Sequence, residues 1–174
     1  MWSRYFLYKL IIDCKNERKL RLEFEQCFHP VPCVGYIFYQ NKHKIKPEYA
    51  ALKGPEIAKL RKEGVEIQMK VESPMFAFIG DTSVEIFEVD SLFKDQLASI
   101  PVMFIECTSI QSDVSEAEAR ERGHVHWSSL EPHVQNNPQT QFVLIHFSVR
   151  YKNEVLASFF DEITQKYPNV VPWI

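Results

Sequence analysis

The stretch FVLIHFSVRY, residues 142–151, decides how the rest of the chain is read. Its apolar start, Phe142 to Ile145, has the look of a buried strand, and His146 follows where the chain turns away. Ser148, Arg150 and Tyr151 crowd behind it. An imidazole at the mouth of an apolar strand is either a satisfied core histidine or a metal ligand, and His146 alone does not decide between them.

The same pattern recurs upstream. MFAFIGDTS (75–83) is a short apolar strand that stops at Gly80-Asp81, and VMFIECTS (102–109) is another that ends in Glu106. Helical spacing follows each strand, in VEIFEVDSLFKDQL (84–97), SEAEARERG (115–123) and NEVLASFFDEITQKY (153–167). The last stretch places Val155, Leu156, Phe159, Phe160 and Ile163 on one face. Further upstream the pattern changes. YKLIID and KLRLEFEQCF alternate as a hairpin joined by DCKNERK, and HPVPCVGYIFYQ becomes a third strand after a proline-pinned loop. KHKIK (42–46) reads as a charged connection, Pro47 to Glu63 as helix interrupted near Gly54-Pro55, and VEIQMKV as a separate strand before Ser73-Pro74. NVVPWI suggests a last strand. Hairpins first and strand–helix alternation later predict an α/β chain with a mixed sheet, as one domain over residues 1–174.

The bulk numbers narrow the function classes. At 174 residues, 45% hydrophobic and 13% aromatic, the chain can bury a core. A net charge of −3 provides no overall basic field for nucleic acid, so any such contact must be local. The local candidates are Lys42, Lys44, Lys46, Lys53, Lys59, Arg61 and Lys62, for which a solvated helix face is nearly as good an explanation. Cys14, Cys27, Cys33 and Cys107 form no CxxC pair and suit a reducing compartment. Arg4 and Lys9 interrupt the apolar start, and no run is long enough for a membrane span. These features predict a soluble, intracellular protein.

In α/β proteins chemical groups gather where buried strands end. Asp81, Glu106 and His146 stand at three such ends, His29 closes the second strand, and His124 lies in RGHVHW. Each has a structural explanation of its own. Asp81 suits a helix N-cap, His29 a turn, and Glu106 a buried pair with His124. His43 and His133, on charged or polar segments, are expected to face solvent. Taken together, imidazoles and a carboxylate are the donor set that binds Zn²⁺, and a carboxylate can bridge two ions.

HPVPCVGYIF, FIGDTS, FIECTS followed by RGHVHW, and LIHFSVRY also occur in an order and spacing that resembles the C-terminal half of ribonuclease Z. These transfer-RNA 3′-end endonucleases belong to the metallo-β-lactamase superfamily. The resemblance implies half of an αββα sandwich and a two-zinc phosphodiesterase that removes the 3′ trailer of precursor transfer RNA. It makes His29, Asp81 and His146 metal ligands, with Asp81 bridging, and His124 with Glu106 a proton-transfer couple. The family's first zinc motif, His-x-His-x-Asp-His, is absent from this sequence. Ile105 stands where the family usually has His, and GHVH replaces the commoner Gly-His-Ser-Thr. The chain alone is therefore expected to bind zinc weakly, to be poorly active, and to expose apolar strand surface that favours a homodimer. The rival reading is a metal-free module that binds RNA or a protein on a degenerate scaffold. Retention of all five polar residues counts against it.

Overall fold

A computed structural model describes residues 8–13 and 19–174, with side chains described from Leu20 onward. Among the described residues, seven strands form one sheet in chain order: β1 (Tyr8–Asp13), β2 (Lys19–Gln26), β3 (Val34–Ile45), β4 (Gln68–Ile79), β5 (Val102–Glu106), β6 (Gln141–Ile145) and β7 (Val170–Pro172). The first four pair antiparallel, and β4 to β7 pair parallel. The expected α/β class with a mixed sheet is thus observed. The α-helices of the described residues are α1 (Gly54–Lys62), α2 (Leu92–Gln96), α3 (Glu116–Glu121), α4 (Trp127–Asn136) and α5 (Asn153–Lys166).

The parallel strands need crossover connections, which α2 to α5 supply. Alternation on the strands sorts the two sheet faces. Ile37, Ala77, Ile79, Met103, Ile105, Phe142 and Leu144 are fully buried under the helices. The helix layer contributes Phe93, Leu130, Leu156 and Phe160, and Trp127 meets Phe159 and Phe160 edge to face. Phe38, Phe76, Phe78 and Phe104 lie on the other face of the strands, with ring contacts running on to Trp173. There Phe78 remains 42% exposed and Trp173 67% exposed.

Three expectations are corrected. KHKI is not a connection: β3 continues to Ile45, pairing His43 with Lys70 and Ile45 with Gln68. VEIQMKV and MFAFI are not separate strands, because β4 runs through Ser73-Pro74. The register shifts there, with Phe38 opposite Phe76 but Tyr39 opposite Pro74. That bulge is a position where a residue without an N–H is tolerated, so proline does not end the strand. His133 is half-buried on α4, its ring 5.1 Å from that of Phe87, rather than facing solvent. His43 is exposed, as its charged surroundings suggest. The DCKNERK loop lies outside the described residues except at its ends.

Candidate metal and proton-transfer site

Because β2 is antiparallel to β3 and β3 to β4, the C-terminal ends of β2, β4, β5 and β6 share one rim of the sheet. All five singled-out residues lie at that rim. His29 follows β2, Asp81 follows β4, Glu106 ends β5 and His146 follows β6. His124 sits between α3 and α4.

Glu106 anchors the rim. It is 1% exposed, and five donors converge on its two carboxylate oxygens. Oε1 accepts from Thr82 N at 2.9 Å and from His124 Nδ1 at 2.8 Å. Oε2 accepts from Thr108 N at 3.2 Å, Thr108 Oγ1 at 2.5 Å and Val125 N at 3.2 Å. A carboxylate has about four lone-pair positions, so none remains for a cation. Glu106 therefore neutralises and orients its neighbours, and its burial is compensated by complete hydrogen bonding. The bond from Glu106 raises the His124 pKa above the ordinary imidazole value, against the opposing effect of burial. With Nδ1–H given to Glu106, His124 presents Nε2 as its working atom.

Asp81 does not cap the turn that follows it. Ser83 does so, its Oγ accepting from Glu85 N at 3.4 Å. Asp81 instead points toward His146, with Oδ1 3.6 Å from Nδ1, and both side chains are substantially open, 37% and 50% exposed. His146 leaves β6 with φ +59°, in the left-handed region that a residue with a Cβ rarely adopts. The turn is held by Cys107 N donating to Ile145 O at 2.9 Å and Ser148 N to Thr108 O at 3.0 Å. Such a conformation at a strand mouth aims the ring across the rim rather than into the core. Tyr151 fastens the same loop, donating to Asp113 Oδ1 at 2.8 Å and accepting from Ile110 N at 3.3 Å.

His29 arrives by a different route. Phe28 N donates to Thr82 Oγ1 at 3.0 Å and Ser83 N to Phe28 O at 2.9 Å, which sews the end of β2 to the Asp81 loop. His29 Nδ1 is 3.0 Å from Val31 O and 3.1 Å from Val31 N, so Val31 offers a partner to either tautomer of the ring and ties it to the loop. Its ring centroid is 5.1 Å from that of His124, which is in turn 5.8 Å from that of His146. Gly123 permits this approach. It has φ +77°, and a Cβ there would stand 2.8 Å from His29 Cα and 2.5 Å from Pro30 Cδ.

The structure thus brings together Glu106 with His124, and Asp81 with His146, while His29 packs beside His124. Potential ligand atoms of Glu106, His124 and His146 lie within 4.8 Å of one another. Since the Glu106 oxygens are saturated, the donors free for a cation are Asp81 and the histidines. Nitrogen and carboxylate oxygen at an open rim suit a borderline divalent metal. Thr108 was missed from sequence, where it read only as the tail of a strand. Its Oγ1 lies 2.5 Å from Glu106, 3.1 Å from His146 Nδ1 and 3.4 Å from His124 Nδ1.

The fold is of the metallo-β-lactamase type. The metallo-β-lactamase fold protein YhfI of Bacillus subtilis superposes with a TM-score of 0.52 at 10% identity, covering 94% of this chain and 48% of that one. In sequence the chain resembles ribonuclease Z, as its motifs suggest. It is 37% identical to tRNase Z TRZ1 of Arabidopsis thaliana over 134 residues, covering 77% of this chain and 47% of the relative. It is 30% identical to the Ribonuclease Z of Borrelia hermsii over 189 aligned positions, covering 94% of this chain and 57% of the relative. The chain therefore spans about half the length of the curated relatives it matches. No family model matches the sequence. Among the described residues, no helix is long and apolar enough to cross a membrane.

Proposed function

We propose that this chain carries part of the active site of a zinc-dependent, ribonuclease Z-type phosphodiesterase that removes the 3′ trailer of precursor transfer RNA. The observation that carries the reading is the meeting of two acid–histidine pairs at one rim, Glu106 with His124 and Asp81 with His146. A hydrogen-bonded core would need only the first. The second leaves a carboxylate and an imidazole half-exposed at 3.6 Å, beyond hydrogen-bond range, where a structural pair would close up.

Asp81 and His146 would hold the metal, with His29 as the further imidazole, and zinc when bound would supply a Lewis acid and an activated water. The chain's own residues supply the rest. Glu106 keeps His124 upright and favours its protonated form, so that Nε2–H is available to the departing ribose oxygen. Once that proton is given, the Nδ1 bond to Glu106 keeps the neutral ring in place for the next cycle.

The extended hairpin supports a long, polyanionic substrate. Among the described residues, the strand pairing beyond Gln40 and Ser73 is between β3 and β4, which carry α1 at their far end. Lys42, Lys44, Lys53, Lys59, Arg61, Lys62 and Lys70 are exposed on this arm. Along the 12 residues of β4, the far end of the arm lies roughly 35 Å from the Asp81 rim at the usual strand rise. A ligand touching both must have the dimensions of a folded RNA, and the arm would hold its phosphates.

The test combines the 174-residue chain with a segment bearing His-x-His-x-Asp-His, adds zinc and supplies a 3′-extended precursor transfer RNA. Endonucleolytic release of the trailer by the combination, lost on Asp81→Ala or His124→Ala, is the expected result. RNA binding without cleavage, unaltered by either change, would favour the metal-free module instead.

A further inference from the structure

We propose that Thr108 is a positioning residue that sets the tautomer of His146, relaying the orienting effect of Glu106 from one histidine of the rim to the other. A threonine hydroxyl has one proton to give and two lone pairs with which to accept. Thr108 Oγ1 has the Glu106 carboxylate at 2.5 Å, His146 Nδ1 at 3.1 Å and the His146 carbonyl at 3.3 Å. Its one proton goes to the nearest and most strongly accepting of these, the carboxylate. The oxygen is then left facing His146 Nδ1 with lone pairs alone.

Two lone pairs cannot bond to each other, so a hydrogen bond across the 3.1 Å contact places the proton on Nδ1 of His146, while the His146 carbonyl at 3.3 Å is left as a contact without one. That places the free lone pair on Nε2, on the side of the ring away from Thr108. Glu106 imposes the same tautomer on His124 directly, through the 2.8 Å bond to Nδ1. One buried carboxylate therefore fixes both rings, His124 at first hand and His146 through Thr108. The Thr108 N–H, also donated to Glu106 at 3.2 Å, keeps the hydroxyl from drifting. Asp81 Oδ1 lies farther from the same nitrogen, at 3.6 Å, outside hydrogen-bond range, so the hydroxyl oxygen is the partner that decides.

The consequence for metal binding rests on the function proposed above, since an Nε2 lone pair is what a cation at the rim would need. The tautomer does not rest on it and is measurable without metal. In the full chain, labelled with ¹⁵N-histidine and freed of metal by a chelator, long-range proton–nitrogen correlation at mildly alkaline pH reads which ring nitrogen carries the proton. His146 is expected in the Nδ1–H form. Thr108→Ser should keep it there, while Thr108→Val and the smaller Thr108→Ala should move His146 toward Nε2–H and leave His124 as it was. A wild-type His146 protonated on Nε2 overturns the inference whatever the variants do. So does a folded Val or Ala variant whose His146 still carries its proton on Nδ1. With the shift confirmed, a zinc affinity lowered about 10- to 100-fold in Thr108→Ala and restored in Thr108→Ser would support the metal reading as well. An unchanged affinity would sink that reading and leave the tautomer relay standing.

Discussion

The Glu106 carboxylate accepts a 2.8 Å hydrogen bond from His124 Nδ1 while four further donors, from Thr82, Thr108 and Val125, close around it. The histidine takes up only one part of its capacity. The remaining bonds come from three different loops, so the carboxylate joins the ends of β4, β5 and the α3–α4 connection. Glu106→Gln keeps the volume but turns one end of the group into a donor facing donors. It should cost about 3 kcal/mol of stability, from buried N–H groups left without an acceptor. Urea unfolding monitored by tryptophan fluorescence gives the number. A loss below 0.5 kcal/mol (an order-of-magnitude floor for surface changes) would mean that the carboxylate is not the knot described.

Asp81 should behave in the opposite way. Among the described residues it neither caps a helix nor closes a hydrogen bond within normal range, and its side chain is partly exposed. Asp81→Ala is expected to leave stability within about 0.5 kcal/mol while abolishing zinc-dependent cleavage by the completed enzyme. Ser83→Ala, two residues on, should lower stability by roughly 1 kcal/mol through loss of the cap. Paired unfolding and cleavage assays on the two variants separate the roles, and a stability loss that follows Asp81 rather than Ser83 contradicts the assignment.

Gly123 is where the His29 loop is seated. Any Cβ there meets Pro30 and His29 at distances no packed side chain adopts, and φ +77° adds backbone strain. Gly123→Ala should cost about 1–3 kcal/mol and displace His29 from His124. Loss of contact between the two imidazoles in a nuclear Overhauser spectrum reports the displacement. Persistence of that contact at full stability would show that the loop is held elsewhere.

What was legible in the sequence follows from the range of each cause. Strand-end polar residues stand out because Asp81, Glu106 and His146 interrupt apolar runs, a local signal. Helix α5 was legible because five apolar side chains repeat on one face. The continuity of β4 was not, since Pro74 is tolerated only because the partner strand shifts register at Phe38–Tyr39, some 35 positions away. Thr108 was equally hidden. Nothing next to it distinguishes it from any threonine after a strand, and its partners at positions 124 and 146 come from other loops. His133 was misread because the Phe87 ring that half-buries it comes from a segment more than forty residues earlier.

That burial makes His133 a source of pH dependence. Desolvation against Phe87 lowers its pKa below the ordinary imidazole value, with Glu88 pulling weakly the other way. The unfolded chain therefore takes up this proton at a higher pH than the folded one. The neutral ring's contribution is fully present above the unfolded value of about 6.5 and is lost as pH falls through the lowered folded value. Urea midpoints should drop on acidification from neutral toward pH ~5, and His133→Gln should flatten that drop. An identical decline in the variant would assign the effect to other groups.

The aromatic face opposite the helices leads to the last expectation. Phe78 is 42% exposed and Trp173 67% exposed, on a patch that continues through Phe76 and Phe104. Contiguous apolar surface of this kind is covered in most soluble proteins, and water gives it a strong drive to associate. The isolated chain should therefore self-associate in a concentration-dependent way, two bare faces meeting as the inner layers of a sandwich. Phe78→Lys puts a charge in the middle of the patch without opening a cavity in the core, so stability should change little. In sedimentation velocity the wild type should move from monomer toward dimer as concentration rises, while the variant stays monomeric. If both remain monomeric over the same range, the face does not self-pair, and the homodimer expected from the sequence falls with it.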